Sequence, residues 1–169
     1  GFFISGMPDP HYPGIIQVFD GSDWTTYEEN ISEKTGYQYI DINCLDVMPD
    51  NPQYVIAGGR TGIYEFNNGS LVRYHNQDNS PLKGAIDRGK VLGNDYVLIS
   101  AMKFDNNGHL WVLNNQTEGV TLLEFDPVNN KWTDHHNKAL VNDNGIGKHA
   151  FRSMIIDSRG LLWFVNDNW

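Results

Sequence analysis

Asp105-Asn-Asn-Gly-His-Leu-Trp111 and Asp157-Ser-Arg-Gly-Leu-Leu-Trp163 are two copies of one short phrase, each led by a Met-containing apolar run. In both, Asp opens a turn, Gly follows three residues later where a positive φ is easiest, and Leu-Trp starts an apolar stretch. That order predicts a β-hairpin. Asp105, Gly108, Trp111, Asp157, Gly160 and Trp163 are therefore structural repeat positions. A self-similar chain is a stack of like units before it is anything else.

A second marker recurs three times, as Phe19-Asp-Gly-Ser-Asp-Trp24, Phe66-Asn-Asn-Gly-Ser-Leu71 and Phe125-Asp-Pro-Val-Asn-Asn-Lys-Trp132. Each is a strand ending in Phe, a polar turn, and a returning strand opened by Trp or Leu. The steps between markers run slightly above the roughly 40 to 50 residues of a four-stranded propeller blade. Interleaving the two markers predicts strands at 1–5, 14–20 and 24–27, then 43–48, 54–58, 62–67 and 70–75. The third unit repeats these at 97–105, 110–114, 121–126 and 131–134, and a fourth offers 153–157 and 161–165. The fold class is all-β: a propeller arc of about three and a half four-stranded antiparallel blades, with a partial blade in 1–30, blades in 42–82 and 97–140, and a partial blade in 151–169.

Helix is nearly absent from this reading, because 17 Gly and 7 Pro interrupt every window long enough for a 3.6-residue period. The stretch 28–34 reads as a polar connector. The spacers 76–94 and 135–150 are polar and Gly-rich, fall between blades, and are expected to gather on one face as a binding rim. An open arc exposes apolar blade faces. The remaining blades are expected from residues outside this chain or from another copy of it, and both termini read as interior to a longer polypeptide.

Of 169 residues, 40% are hydrophobic and 12% aromatic, a globular composition. The net charge of -9, from 12 basic against 21 acidic residues, disfavours nucleic acid and anionic lipid surfaces, which need clustered Lys and Arg. No apolar run approaches the ~20 residues that span a bilayer. Cys44 is the single cysteine, so no intramolecular disulfide forms, and it reads as a small buried apolar residue on the strand around Ile42 to Val47.

With both markers placed, the chain resembles the two-component-regulator propeller repeats, whose core runs Asp-x-x-Gly-x-Leu-Trp and then an apolar pair. Met102 to Leu113 and Met154 to Val165 follow that pattern. The usual Gly-Thr and Gly-Leu hairpin after Trp is replaced by Val-Leu-Asn-Asn after Trp111 and Phe-Val-Asn-Asp after Trp163. Together with Gly62-Ile-Tyr-Glu-Phe66-Asn-Asn-Gly69 and Tyr74-His-Asn-Gln-Asp-Asn79-Ser-Pro-Leu82, this is more similar to the PorZ-like branch. The resemblance implies a periplasmic or cell-surface ectodomain, either in an oligosaccharide-sensing hybrid histidine kinase or in an assembly on the type IX (Por) secretion machinery.

Trp24, Trp111, Trp132 and Trp163 recur at equivalent places, as packing between blades requires. Sugar stacking would more naturally use a non-repeating aromatic such as Tyr37, Tyr39 or Phe151. Asp50 lies near a tight turn. Asp105-Asn-Asn-Gly108 and Asn142-Asp-Asn-Gly145 superficially suggest calcium loops but lack the bidentate Glu such loops need, and Asp and Asn cap such turns unaided. His135 and His136 are adjacent and point to opposite faces of a strand, while His11, His75, His109 and His149 are scattered without zinc spacing. No Gly-x-Ser-x-Gly occurs. Gly58-Gly59-Arg60-Thr61-Gly62 lies between two strands with no helix to bind phosphate, so it reads as a hairpin with Arg60 exposed at its tip.

No metal or cofactor is expected. The ligand-binding candidates are the rim residues Arg60, Tyr37, His149 and Arg152. Three functions stay open: a glycan-responsive, non-enzymatic sensor with an oligosaccharide ligand; a protein-docking scaffold of the secretion type, with a secretion-system protein as partner; and a propeller lyase or glycosidase, whose acids would come from Asp143, Asp157 and Glu118.

Overall fold

The computed structural model describes residues 11–147 and 151–166. The strand read at 1–5 and the candidate His149 lie outside them. A first hairpin joins β1 (Gln17–Phe19) to β2 (Trp24–Thr26), and a short helix α1 (Ile31–Thr35) follows. The second unit is a four-stranded antiparallel sheet of β3 (Cys44–Met48), β4 (Asn51–Gly59), β5 (Gly62–Asn67) and β6 (Ser70–His75), in chain order. A small hairpin, β7 (Ile86–Asp87) with β8 (Lys90–Val91), decorates the connection to the next unit. That unit repeats the plan with β9 (Ile99–Phe104), β10 (Leu110–Asn114), β11 (Leu122–Asp126) and β12 (Lys131–Asp134). The pair β13 (Phe151–Ile156) and β14 (Leu162–Asn166) opens a fourth.

Turn chemistry sets the registers. Asn68 and Gly69, at φ 49° and 78°, form the two-residue loop between β5 and β6, and Arg88 and Gly89, at φ 47° and 78°, do the same between β7 and β8. Two successive positive φ values match the twist of the flanking strands.

β9 packs against β3 on one side and β13 on the other, so the first strands of three units stand together while their sheets spread outward. This is a propeller arc. The layers between sheets are apolar: Ile56 and Ile63 meet Phe104, Leu110, Val112 and Phe125, and Ala101 and Leu113 meet Phe151 and Met154. A third layer joins Ile16, Ile31 and Tyr39 to Tyr64 and Phe66. Asp46 of β3 reaches across to β9, accepting from the Phe104 amide at 2.7 Å and Lys103 Nζ at 2.9 Å.

Several expectations need correction. The stretch read as a polar connector holds α1, whose Ile31 is fully buried and whose end is capped by Gly36 at φ 75°. One apolar side chain in five residues leaves no period to detect. β4 begins at Asn51, before Pro52, because Pro52 lies beyond the last rung with β5 (Tyr54 with Asn67) and costs no ladder bond there. The spacer 76–94 is more than a rim: Leu82 and Ala85 are buried, and the buried Asn114 side chain binds both backbone groups of Lys83. Among the repeat tryptophans, Trp111 and Trp132 are half-buried, whereas Trp24 and Trp163 are 68% and 52% exposed. Cys44 is half-buried, packing against the apolar layer of Ile56 and Ile99, and burial pushes its thiol up to about 12.

Candidate ligand groove at Arg60

The loops between second and third strands and the connections between units emerge at the same end of the arc. Three local bonds knit them together: Asn115 donates to the Leu98 carbonyl at 2.8 Å, Ile86 donates to the Gln116 carbonyl at 2.8 Å, and Thr61 bridges Val97. Between them lies a cavity of about 550 Å³ walled by Arg60, Ala85, Asp87, Leu92, Tyr96 and Gln116. A smaller one of about 210 Å³, lined by Asp41, Asn43, Ser100 and Asn115, shares Arg60 and Leu98 with it.

Arg60 lines both cavities and is far from free. Its guanidinium lies over the Tyr96 ring, 4.0 Å from the centroid, and Nε donates to the Asp95 carbonyl at 3.1 Å. Nη1 meets the His11 ring, 2.7 Å from Nδ1, and stands 4.0 Å from Asp41. The side chain is 11% exposed, which corrects the expectation of a solvated hairpin tip. A planar cation stacked on an aromatic face is worth about 0.5 to 2 kcal/mol, which explains why it folds inward.

Two residues on the rim hold unusual backbone conformations. Asp41 has φ 51° and Gln116 φ 54°. Asp tolerates this region and Gln does so rarely; Gln116 holds it in the turn that follows β10, as Arg88 does in the β7–β8 turn. Asp41 is fixed by its neighbours: its Oδ1 accepts from the Tyr12 amide and its Oδ2 lies 2.9 Å from His11 Nδ1.

Of the other candidates, Tyr37 stands at the same end but outside the groove lining. Its hydroxyl accepts from Asn94 at 2.9 Å and donates to Asp78 at 3.2 Å. Arg152 is exposed on β13, away from Arg60's cavity. Tyr39 and Phe151, considered for sugar stacking, are buried at 5% and 4% exposure. Tyr39 meets Tyr64 edge-on at 4.8 Å, and burial drives its phenol well above the usual range.

The acidic turn residues bind their own backbone. Asp105 Oδ1 accepts from the amides of Asn107 and His109, and Asp157 Oδ1 from Arg159 and Leu161. Asn142 Oδ1 does the same for Asn144 and Ile146. The indole of Trp111 or Trp163 donates to the other carboxylate oxygen of its turn, at 3.4 and 3.1 Å. Hydrogen bonds from Arg159 hold the Asp157 carboxyl down to about 2. Among the described residues, no group of three His, Cys, Asp or Glu side chains is placed to hold a metal ion.

A polar pair that motif reading missed recurs between blades. Glu65 is fully buried, hydrogen-bonded to His75 and Tyr54, with Arg73 at 3.5 Å. Phe125 and Trp132 of the next blade sit edge-on over His75 at 4.9 and 5.4 Å. In the third unit Glu124 takes the equivalent place, bound by His135 at 2.7 Å and His109 at 2.5 Å. Burial pushes the Glu124 carboxyl up, but these two hydrogen bonds outweigh it and hold it below the ordinary range. The signal was present as Glu-Phe-Asx before the outer turn and a His at the end of the returning strand (His75) or just after it (His135).

No protein-family model matches the chain, and no curated protein sequence matches it. The resemblance to two-component-regulator repeats therefore has no family match behind it. A solved structure of PorZ from Porphyromonas gingivalis is similar at a TM-score of 0.78 and 20% identity, over 92% of this chain and 20% of that one. PorZ is described there as an essential bacterial surface component of the type-IX secretion system. The chain thus spans about a fifth of that protein's length, and at this identity the likeness is one of fold.

Proposed function

We propose that this chain is a non-enzymatic docking module of a cell-surface, propeller-bearing component of a type IX secretion assembly, and that it holds its partner at the Arg60 groove. The groove carries the reading: three separate loops converge on one open cavity, lined by a guanidinium stacked on Tyr96. The shared fold with PorZ supports the setting. The sensor-kinase reading has no observation of its own in its favour. Catalysis would need convergent carboxylates, yet Asp157 is engaged by its own turn, and Glu118 and Asp143 are exposed and outside the groove lining. No helix among the described residues is long and apolar enough to cross a membrane.

Deleting the gene in its bacterium and following surface delivery of type IX cargo tests this. Delivery is expected to fail, to return with the wild-type gene, and to stay absent with Arg60→Gln and Gln116→Ala combined in a variant of unchanged melting temperature. Normal delivery in the deletion strain overturns the proposal, as does loss of a polysaccharide-triggered transcriptional response in its place. Turnover of a polysaccharide by the purified protein overturns its non-enzymatic part.

A further inference from the structure

Three Asn-Gly pairs occur in the chain, at Asn68-Gly69, Asn107-Gly108 and Asn144-Gly145, and all three Asn residues are exposed to solvent. Such a pair carries a reaction of its own: the backbone nitrogen of Gly attacks the Asn Cγ, and Gly has no side chain to obstruct the approach. The three turns treat that nitrogen differently. Gly108 donates to the Asp105 carbonyl at 3.1 Å and Gly145 to the Asn142 carbonyl at 2.9 Å, each bond closing its turn. In the β5–β6 turn, neither the Asn68 carbonyl nor the Gly69 amide has a hydrogen-bond partner among the described residues. The peptide groups on both sides are anchored, because the Asn68 amide donates to the Gln53 carbonyl at 3.1 Å and the Gly69 carbonyl accepts from the Glu28 amide at 2.9 Å.

Asn68 is also one rotation away from the reactive conformation. Closing a five-membered ring through Cγ and the next nitrogen nearly eclipses that nitrogen with Cβ, which for an L residue requires the ψ of the first central residue of a type II′ turn, about −120°. Asn68 at φ 49° and Gly69 at φ 78° are the central residues of a type I′ turn. Rotating the peptide group between them converts type I′ to type II′ and leaves Asn68 at positive φ. Both turn types join hairpin strands, so the strands and the flanking bonds stay in place. In the other two pairs the same rotation pulls the glycine amide off its acceptor. The strain of the ring-closing ψ is common to all three pairs, and the hydrogen bond is the difference. We propose that Asn68 is a site of spontaneous deamidation, the first of the three to react. This does not depend on the docking role. Gly69 N bonds to Asn68 Cγ and loses its proton, ammonia leaves, and water opens the resulting succinimide at one of its two carbonyls. Opening at the side-chain carbonyl leaves aspartate, which tolerates the positive φ and keeps the turn. Opening at the backbone carbonyl leaves isoaspartate, which adds a carbon to the main chain of a two-residue loop. The β5–β6 register is then lost, together with the hold of Glu28 on Gly69 and on the Leu71 amide.

Peptide mapping by mass spectrometry, on the folded chain held for days in mildly alkaline buffer, tests this. Asn68 is expected to convert faster than Asn107 and Asn144 by about two- to tenfold, the factor that corresponds to the net free energy of one hydrogen bond. In concentrated urea, where no turn persists, the three are expected to convert at similar rates. Equal rates in the folded chain overturn the proposal, as does a lead for Asn107 or Asn144. A lead for Asn68 that persists unchanged in urea also overturns it, since neighbouring residues and not the turn would then set the rate.

Discussion

Asp105, Asn142 and Asp157 do one job: each lends a side-chain oxygen to two backbone amides of its own turn. Asp105 and Asp157 also use their second carboxylate oxygen, accepting from the Trp111 and Trp163 indoles, an acceptor that an Asn side chain lacks. Asp105→Ala is expected to cost about 1 to 3 kcal/mol, two amide hydrogen bonds at about 0.5 to 1.5 each, while Asp105→Asn keeps those two and loses only the longer bond from the Trp111 indole, about 0.5 to 1 kcal/mol. Urea unfolding with a constant slope checks the pair. Equal losses for both substitutions would mean that the carboxylate charge holds the turn.

Among the hairpins, the β4–β5 turn is the least forgiving. Gly62 has φ 125°, and a Cβ there would come within 2.1 Å of the His75 carbonyl oxygen, a rigid backbone atom. Gly108 has φ 79° with open space around it. Gly62→Ala is expected to destabilise by more than about 3 kcal/mol, strain and clash together, against about 1 to 2 kcal/mol for Gly108→Ala, which meets strain alone. Thermal unfolding of the two variants side by side gives the order; the reverse order would remove the steric account. Because this turn also carries Arg60 into the groove, Gly62→Ala reaches the site through the backbone.

Across the whole molecule, stability depends on layers between sheets that no single blade owns. Glu65–His75 is sealed by the next blade, whereas the equivalent Glu124–His135 keeps His135 35% exposed. His75→Ala should cost about 3 to 5 kcal/mol, since it leaves a buried carboxylate short of its partner. His135→Ala should cost about 1 kcal/mol or less. Chemical denaturation of both variants separates these values, and similar losses would mean that sealing by the next blade contributes nothing.

The sequence by itself determined the blades: paired turn phrases and alternating apolar residues set where strands begin and which way they fold back, since turn geometry and side-chain alternation act within a few residues. Most strand positions were legible for that reason, and so was the turn-capping role of Asp105 and Asp157. Only the tertiary structure decided the site. Arg60, Asp41, Tyr96 and Gln116 come from separate loops and meet because neighbouring sheets bring their ends together. The same distance effect buried Tyr39 and Phe151, which looked like rim aromatics, and paired Glu65 with His75 beneath the next blade. Contacts between blades depend on how whole sheets stack, and local patterning carries no record of which side chain will face which neighbour.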